Sequence, residues 1–165
     1  MKKVLIINTG GTFNKIYNPI TGNLDIDTKG KALKSIETSW LRELEVINII
    51  GKDSLEMTQE DRDEILKQIN LSSYQHIIIV HGTDTMDQTA SYLDLKKVNK
   101  KVVLTGTMIP FSINSIEATA NLASAYGFIQ EVHDNGVYIA MNGRFGRYQK
   151  IQKNKEKGLF ELIEY

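Results

Sequence analysis

His76-Ile77-Ile78-Ile79-Val80-His81-Gly82-Thr83-Asp84-Thr85-Met86 is the stretch that decides how the rest of the chain is read. Its apolar run, Ile77 to Val80, stops abruptly at a polar turn, a pattern that predicts a strand buried on both faces of a parallel sheet. In an open α/β sheet the carboxyl ends of the strands face the ligand crevice, so the hydroxyl of Thr83 beside the carboxylate of Asp84 stands where chemistry is done. Gly82 lets the backbone come close to a small molecule. The same letters also admit a plainer reading, in which Thr83 or Asp84 caps the following helix.

Working outward, Val4-Leu5-Ile6-Ile7 predicts a first buried strand that breaks at Asn8-Thr9-Gly10-Gly11-Thr12. Paired glycines permit a tight turn at positive φ and leave Thr9 or Thr12 at the strand end, either for chemistry or simply as a satisfied turn hydroxyl. Leu44 to Ile50 predicts a strand ended by Gly51 and followed by Asp53 and Ser54. Val102-Val103-Leu104 predicts another that ends in Thr105-Gly106-Thr107-Met108, and Gly136 to Met141 supplies a fifth. Helices are predicted over Lys29 to Ile36, from a capping Thr58 through Ile65, Leu66 and Ile69, over Thr85 to Leu95, and over Ser115 to Ile129. Ala118, Ala120, Ala123 and Ala125 make the last of these narrow enough to pack closely on the sheet or on a partner. Such alternation predicts an α/β fold: a doubly wound, mostly parallel sheet with helices on both faces, three layers, in a single domain. Asn14 to Asp27, rich in Gly, Asn, Thr and Pro, reads as a flexible loop or small hairpin placed to act as a lid.

The totals bound the function. A chain of 165 residues fits one domain with a substantial core. Twenty basic and twenty acidic side chains cancel, so no global field draws the protein to nucleic acid or to a membrane. The absence of cysteine excludes disulfides, thiolate metal sites and a Cys nucleophile, and fits a reducing compartment. After Met1-Lys2-Lys3 the apolar run Val4 to Ile7 is too short for a signal peptide or a membrane span, so a cytoplasmic location is expected. His76, His81 and His133 share no helical spacing and no carboxylate company, so no metal site is expected. The glycines fit neither the dinucleotide nor the P-loop pattern, and no cofactor is expected. The tail from Arg144 to Lys157 holds six basic residues with Phe145 and Tyr148 between them. It reads as a nucleic-acid patch or, more simply, as a solvated basic edge with one lysine drawn into a site.

If Thr12, Thr83, Asp84 and one tail lysine converge above the sheet, the grouping suits acyl transfer. A threonine hydroxyl is a poor nucleophile until a base takes its proton, and a lysine held by a carboxylate is such a base. Backbone N–H groups at the Gly-Thr turns then stand ready for a developing oxyanion.

Thr9-Gly10-Gly11-Thr12, Asp53-Ser54-Leu55-Glu56-Met57-Thr58, His81-Gly82-Thr83-Asp84-Thr85-Met86 and Leu104-Thr105-Gly106-Thr107-Met108-Ile109-Pro110, in this order and at strand ends, resemble the bacterial-type L-asparaginases. The resemblance runs over nearly the whole chain but covers only the amino-terminal domain of the usual family member. Residues 1–165 are therefore expected to form one catalytic-type domain without the family's carboxy-terminal domain. The resemblance implies that Thr12 attacks the side-chain amide of asparagine and that water hydrolyses the resulting β-aspartyl enzyme to aspartate and ammonia. It puts Thr83 and Asp84 in an activating triad with a lysine. Lys153 is the better match, in Lys150-Ile151-Gln152-Lys153 before Phe160, with Lys150 as the fallback. Tyr17 matches the lid tyrosine and Ser54 the residue that holds the substrate α-carboxylate, with Asp84 near the α-ammonium. Asp53, Gly11, Gly82 and Thr107 complete the expected substrate-binding set.

The sequence also departs from the family pattern. Gly-Thr-Met-Ile-Pro stands where the family usually has Gly-Ala-Met-Arg-Pro, so Thr107 adds a hydroxyl and Ile109 removes a cation; the tail before Lys153 is shortened. Two functions follow as expectations: a cofactor-free asparaginase-like amidohydrolase, or an aspartate- or asparagine-binding regulatory module with little or no turnover. A homodimer or higher homo-oligomer is expected, with a second subunit as lid and the alanine-rich helix as a candidate contact.

Overall fold

The apolar runs become strands and the periodic segments become helices in a computed structural model that describes residues 1–163. In chain order the elements are β1 (Val4–Gly10), β2 (Lys15–Tyr17), β3 (Leu24–Ile26), α1 (Lys31–Ser39), β4 (Glu45–Lys52), α2 (Gln59–Leu71), β5 (His76–Val80), α3 (Met86–Leu95), β6 (Lys101–Thr105), α4 (Ser115–Glu131), β7 (Gly136–Met141), β8 (Arg144–Arg147), β9 (Ile151–Asn154) and β10 (Leu159–Leu162). One six-stranded sheet has the order β4-β1-β5-β6-β7-β8. It is parallel except for β8, which runs antiparallel to β7.

Strand side chains alternate between two separate cores, as the period of two requires. Leu5, Ile7, Ile77, Ile79, Val102 and Leu104 pack against α2 and α3. Val4, Ile6, Ile78, Val80 and Val103 pack against α1 and α4 on the opposite face. The three-layer, doubly wound α/β architecture is thus the one the sequence predicts. Each of the fully buried isoleucines of β5 contributes about 1.5–3 kcal/mol by leaving water.

From β1 the chain moves outward to β4, then returns to the other flank of β1 as β5. The order therefore reverses between β1 and β5, which opens a crevice beyond their carboxyl ends. Thr12 follows one of those ends and Thr83 the other.

Local chemistry moves several boundaries. Of the two readings of residues 14–27 the hairpin holds, with β2 and β3 paired antiparallel and Asn18 donating to Asp25 at 2.7 Å. Helix α1 starts at Lys31 rather than Lys29 because Gly30 adopts a left-handed φ of 70° and the Asp27 carboxylate accepts from the Lys31 N–H at 2.8 Å. The basic tail is more structured than a solvated edge. It supplies β8 and a separate hairpin, β9–β10, anchored in the core by Ile151 and Phe160. Arg147 lies 4.6 Å over the Tyr138 ring and Phe145 packs tilted against Phe128 at 4.7 Å, so β8 is held by cation–π and aromatic contacts instead of apolar alternation.

Candidate active site

Four turns meet at the carboxyl edge of the sheet, and their backbones touch. A Cβ on Gly11 would come within 2.5 Å of the Gly82 nitrogen, and one on Gly82 within 2.6 Å of the Ser54 Cβ. Gly106 is pressed against the His81 carbonyl in the same way, at 2.3 Å. Real Cβ contacts do not come so close, so glycine is what lets the loops after β1, β4, β5 and β6 share one crevice.

The turn after β5 carries Thr83, which is buried, and Asp84, which is partly exposed. Lys153 reaches both from β9: its Nζ donates to Thr83 Oγ1 at 2.8 Å and to Asp84 Oδ1 at 2.7 Å. The lysine side chain retains only 14% of its exposure, and β10 holds it in place by pairing Phe160 opposite it. Lys150 lies in a short 3-10 turn and is exposed.

The turn after β1 treats its two threonines differently. Thr9 is buried and donates to the Val80 carbonyl at 2.8 Å, a satisfied hydroxyl that joins β1 to β5. Thr12 opens a 3-10 turn in a half-buried position, and its hydroxyl makes no hydrogen bond among the described residues. Its backbone is held by asparagines that sequence reading passed over. Asn8 and Asn14 exchange side-chain hydrogen bonds at 3.0 and 2.8 Å, Asn14 donates to the Gly10 carbonyl at 2.6 Å, and Asn8 donates to Asn48 on β4 at 2.8 Å. An Asn at the end of an apolar strand, repeated six residues on, is the signal that was available. Tyr17, on β2, is 63% exposed and is not drawn into these bonds.

After β4, Asp53 caps a 3-10 turn by accepting from the Leu55 N–H at 3.2 Å, and its other oxygen pairs with Lys15 at 2.7 Å. Burial pushes its carboxyl upward, but the bonds from Lys15 and Leu55 outweigh that and hold it below the usual carboxylate range. Ser54 is buried, and its Oγ has no hydrogen-bond partner within the protein. Thr107 is turned on its own loop instead, donating to the Ile109 carbonyl at 2.8 Å, while Glu117 receives the Met108 and Ile109 N–H groups at 3.1 Å each.

Beneath Thr83 lies a second feature with no counterpart in the sequence reading. His81 is fully buried, with Nδ1 at 2.7 Å from the Gly82 carbonyl and Nε2 at 2.8 Å from Thr89 Oγ1. Burial is the main reason its pKa falls to about 4. Arg62 of α2 is also buried and donates to Thr89 at 3.1 Å and to Thr85 at 3.4 Å; Thr85 in turn donates to the Ser54 carbonyl at 2.8 Å.

Chemically, the arrangement gathers a threonine hydroxyl without a hydrogen bond among the described residues, a second hydroxyl bonded to an amine, a carboxylate that fixes the amine, and a buried serine hydroxyl without a partner in the protein. The family model described as Asparaginase, N-terminal matches residues 3–161. A probable periplasmic L-asparaginase of Haemophilus influenzae is 31% identical over 160 residues, which are 86% of this chain and 43% of that protein. The thermostable L-asparaginase of Thermococcus kodakarensis superposes with a TM-score of 0.82 at 27% identity, covering 99% of this chain and 52% of that one. A probable cytoplasmic L-asparaginase of Campylobacter jejuni gives 0.79 at 26% identity, covering 98% and 53%. This chain spans about half the length of the relatives it matches. Among the described residues no helix is long and apolar enough to cross a membrane.

Proposed function

Because the chain belongs to the asparaginase family, we propose that it hydrolyses the side-chain amide of L-asparagine, or of a related ω-amide, to the acid and ammonia. The observation that carries this reading is the Lys153 amine between Thr83 and Asp84, at 2.8 and 2.7 Å. In the proposed reaction Thr12 Oγ attacks the amide carbon while its proton passes toward the Thr83–Lys153 pair. That pair then returns a proton to the departing nitrogen, which leaves as ammonia. The ester left on Thr12 is attacked by water, with the same groups taking and returning a proton, and the acid is released. Asp84 keeps the amine in place and offers a counter-charge to the substrate α-ammonium. Ser54, whose Oγ lacks a partner in the protein, receives the α-carboxylate. Tyr17, on the exposed hairpin, serves as part of the lid.

The test follows ammonia release from asparagine, glutamine and small amides. The unmodified chain is expected to release ammonia from asparagine, and Thr12→Ala and Thr83→Ala to fall to the background. Equal rates for all three proteins would refute the assignment. Self-association belongs to the same reading, since Ile116, Ala120 and Ala123 leave an apolar strip of α4 in solvent. Sedimentation is expected to show a dimer or larger species, and a monomer at high concentration would remove that part.

A further inference from the structure

Arg62 occupies a costly position. It lies in the first turn of α2, the positive end of the helix dipole, and only 9% of it is exposed. No carboxylate lies within ion-pair distance of it among the described residues. Its donors go instead to neutral oxygens: Thr89 and Thr85 hydroxyls, the Met57 and Thr58 carbonyls at 3.3 Å, and Gln88 at 3.5 Å. A buried cation held only by neutral groups stabilises a fold poorly, which points to a different use.

A guanidinium only donates, so each hydroxyl it touches must accept there and donate elsewhere. Two relays are thereby given a direction. Arg62 Nε donates to Thr89 Oγ1, whose single hydrogen then goes to His81 Nε2 at 2.8 Å in preference to the weaker and longer Met57 Sδ acceptor at 3.7 Å, leaving Nδ1–H to meet the Gly82 carbonyl. Arg62 Nη2 donates to Thr85 Oγ1, whose hydrogen goes to the Ser54 carbonyl. In the opposite His81 tautomer the Nδ1 lone pair would face the Gly82 oxygen at 2.7 Å, a repulsive contact. The neutral ring that the first relay requires agrees with the low pKa that burial gives His81. The relays end on the Gly82 carbonyl, next to Thr83, and on the backbone carbonyl of Ser54, two walls of the crevice that already touch.

We infer that Arg62 is a positioning residue that sets the direction of both relays, and through them fixes the Gly82-Thr83 turn for catalysis and the Ser54 hydroxyl for substrate. The kinetic part of this inference rests on the hydrolase reading above; the hydrogen-bond part does not.

The experiment combines nitrogen-15 NMR of the His81 ring with steady-state kinetics on asparagine, comparing the unmodified chain with Arg62→Met and Thr89→Val. His81 is expected to be the Nδ1–H tautomer throughout, held by the Gly82 carbonyl, and both substitutions are expected to shift the Nε2 resonance as the hydrogen bond from Thr89 is weakened in Arg62→Met and lost in Thr89→Val. Arg62→Met, which cuts both relays, is expected to raise KM and lower kcat by tenfold or more each. Thr89→Val cuts only the His81 branch and is expected to lower kcat while KM stays unchanged, a split that a purely structural role would not produce. Should Arg62→Met fail to fold, Arg62→Lys, which keeps the charge but loses the fork that reaches both threonines, carries the same readouts. Absence of ammonia release by the unmodified chain would remove the hydrolase reading and leave the ring signals to decide the relay. An Nε2 resonance unchanged in folded Arg62→Met, or KM and kcat unchanged in that variant, would overturn the inference.

Discussion

The turns after β1 and β5 lie side by side, each ends a buried parallel strand, and each carries a Gly-Thr pair, yet they are built in opposite ways. After β5 the side chain is the engaged part: the Thr83 hydroxyl is already bonded to Lys153, over a floor of His81, Thr89 and Arg62. After β1 the backbone is the engaged part, held by Asn8 and Asn14, while the Thr12 hydroxyl has no partner among the described residues. In the proposed reaction Thr83 would be the relay and Thr12 the nucleophile, and the difference suits those roles. A relay gains from hydrogen bonds formed before the substrate arrives, since they need no reorganisation during reaction. A nucleophile bonded to the protein would first have to break that bond, so it gains from a fixed backbone and a free hydroxyl.

Breaking the engaged side chain of the β5 turn should have the largest effect. Lys153→Met is expected to lower kcat by roughly 10²–10⁴-fold, the range for losing a positioned base. Lys150→Met, which removes an exposed ammonium three residues away, should leave kcat unchanged. Equal losses in the two variants would mean that the tail acts only as a basic surface.

The floor under that turn should show itself through pH. Burial lowers the His81 pKa to about 4 from 6.5, with the Arg62 cation working the same way and Asp87 opposing. Between those values the unfolded chain binds the proton that the folded chain refuses, so stability is complete above pH 6.5 and falls as pH drops toward 4. A shift of that size is worth about 3 kcal/mol. Urea midpoints across that window should fall accordingly, and His81→Gln should flatten the slope. His76, whose pKa burial and then Lys101 and Lys2 also lower, adds to the same window, so the comparison is made in a His76→Gln background. An unchanged slope would show that His81 is protonated without penalty.

On the β1 side the corresponding break is in the backbone's support. Asn14→Ala leaves the Asn8 amide and the Gly10 carbonyl without their buried partner and is expected to cost about 2 kcal/mol, the usual penalty for orphaned buried polar groups. It should also lower kcat through the loosened Thr12 turn, whereas Asn18→Ala, in the exposed hairpin, should do neither.

What sequence could reveal divides along the same line. Strands β1, β5, β6 and β7 announce themselves because a strand covered on both faces is a continuous apolar run, and the turns beyond them because glycine and threonine crowd one place. Strands β8, β9 and β10 do not, because Arg147 on Tyr138 and Lys153 opposite Phe160 are held by contacts that depend on distant partners. The grouping of Thr83, Asp84 and Lys153 was legible through resemblance; the Asn8–Asn14 pair and the Arg62 relays were not, since polar residues on strand ends and helices read as solvent-facing until burial is known. The sequence places Asp53 in the substrate-binding set and residues 14–27 in a loop or hairpin, but the pairing of Asp53 with Lys15 depends on where that hairpin lands, which no local pattern fixes.

The smallest effect is expected where the two regions are tied together at the rim. Lys15, the first residue of β2 and three places after Thr12, pairs with Asp53 at 2.7 Å, with about a quarter of each side chain exposed. The hairpin that carries Tyr17 is thereby joined to the loop that carries Ser54, and Ser112 adds a bond to the Lys15 carbonyl at 2.6 Å. An ion pair this accessible to water is worth under about 1 kcal/mol and is weakened by salt. Lys15→Met should therefore barely move the urea midpoint at neutral pH. The carboxylate it leaves loses the bond that outweighed burial, so the Asp53 pKa should rise. The stability this carboxylate provides is present above the unfolded pKa and lost as pH falls through the lower folded one, so in the variant that loss should begin at higher pH. If the pair also steadies the lid, KM for asparagine should rise with added salt in the unmodified chain and be insensitive to salt in Lys15→Met. Identical salt dependence in both would show that the hairpin is held by Ser112 and its own strand pairing, with the β1 and β4 turns mechanically independent.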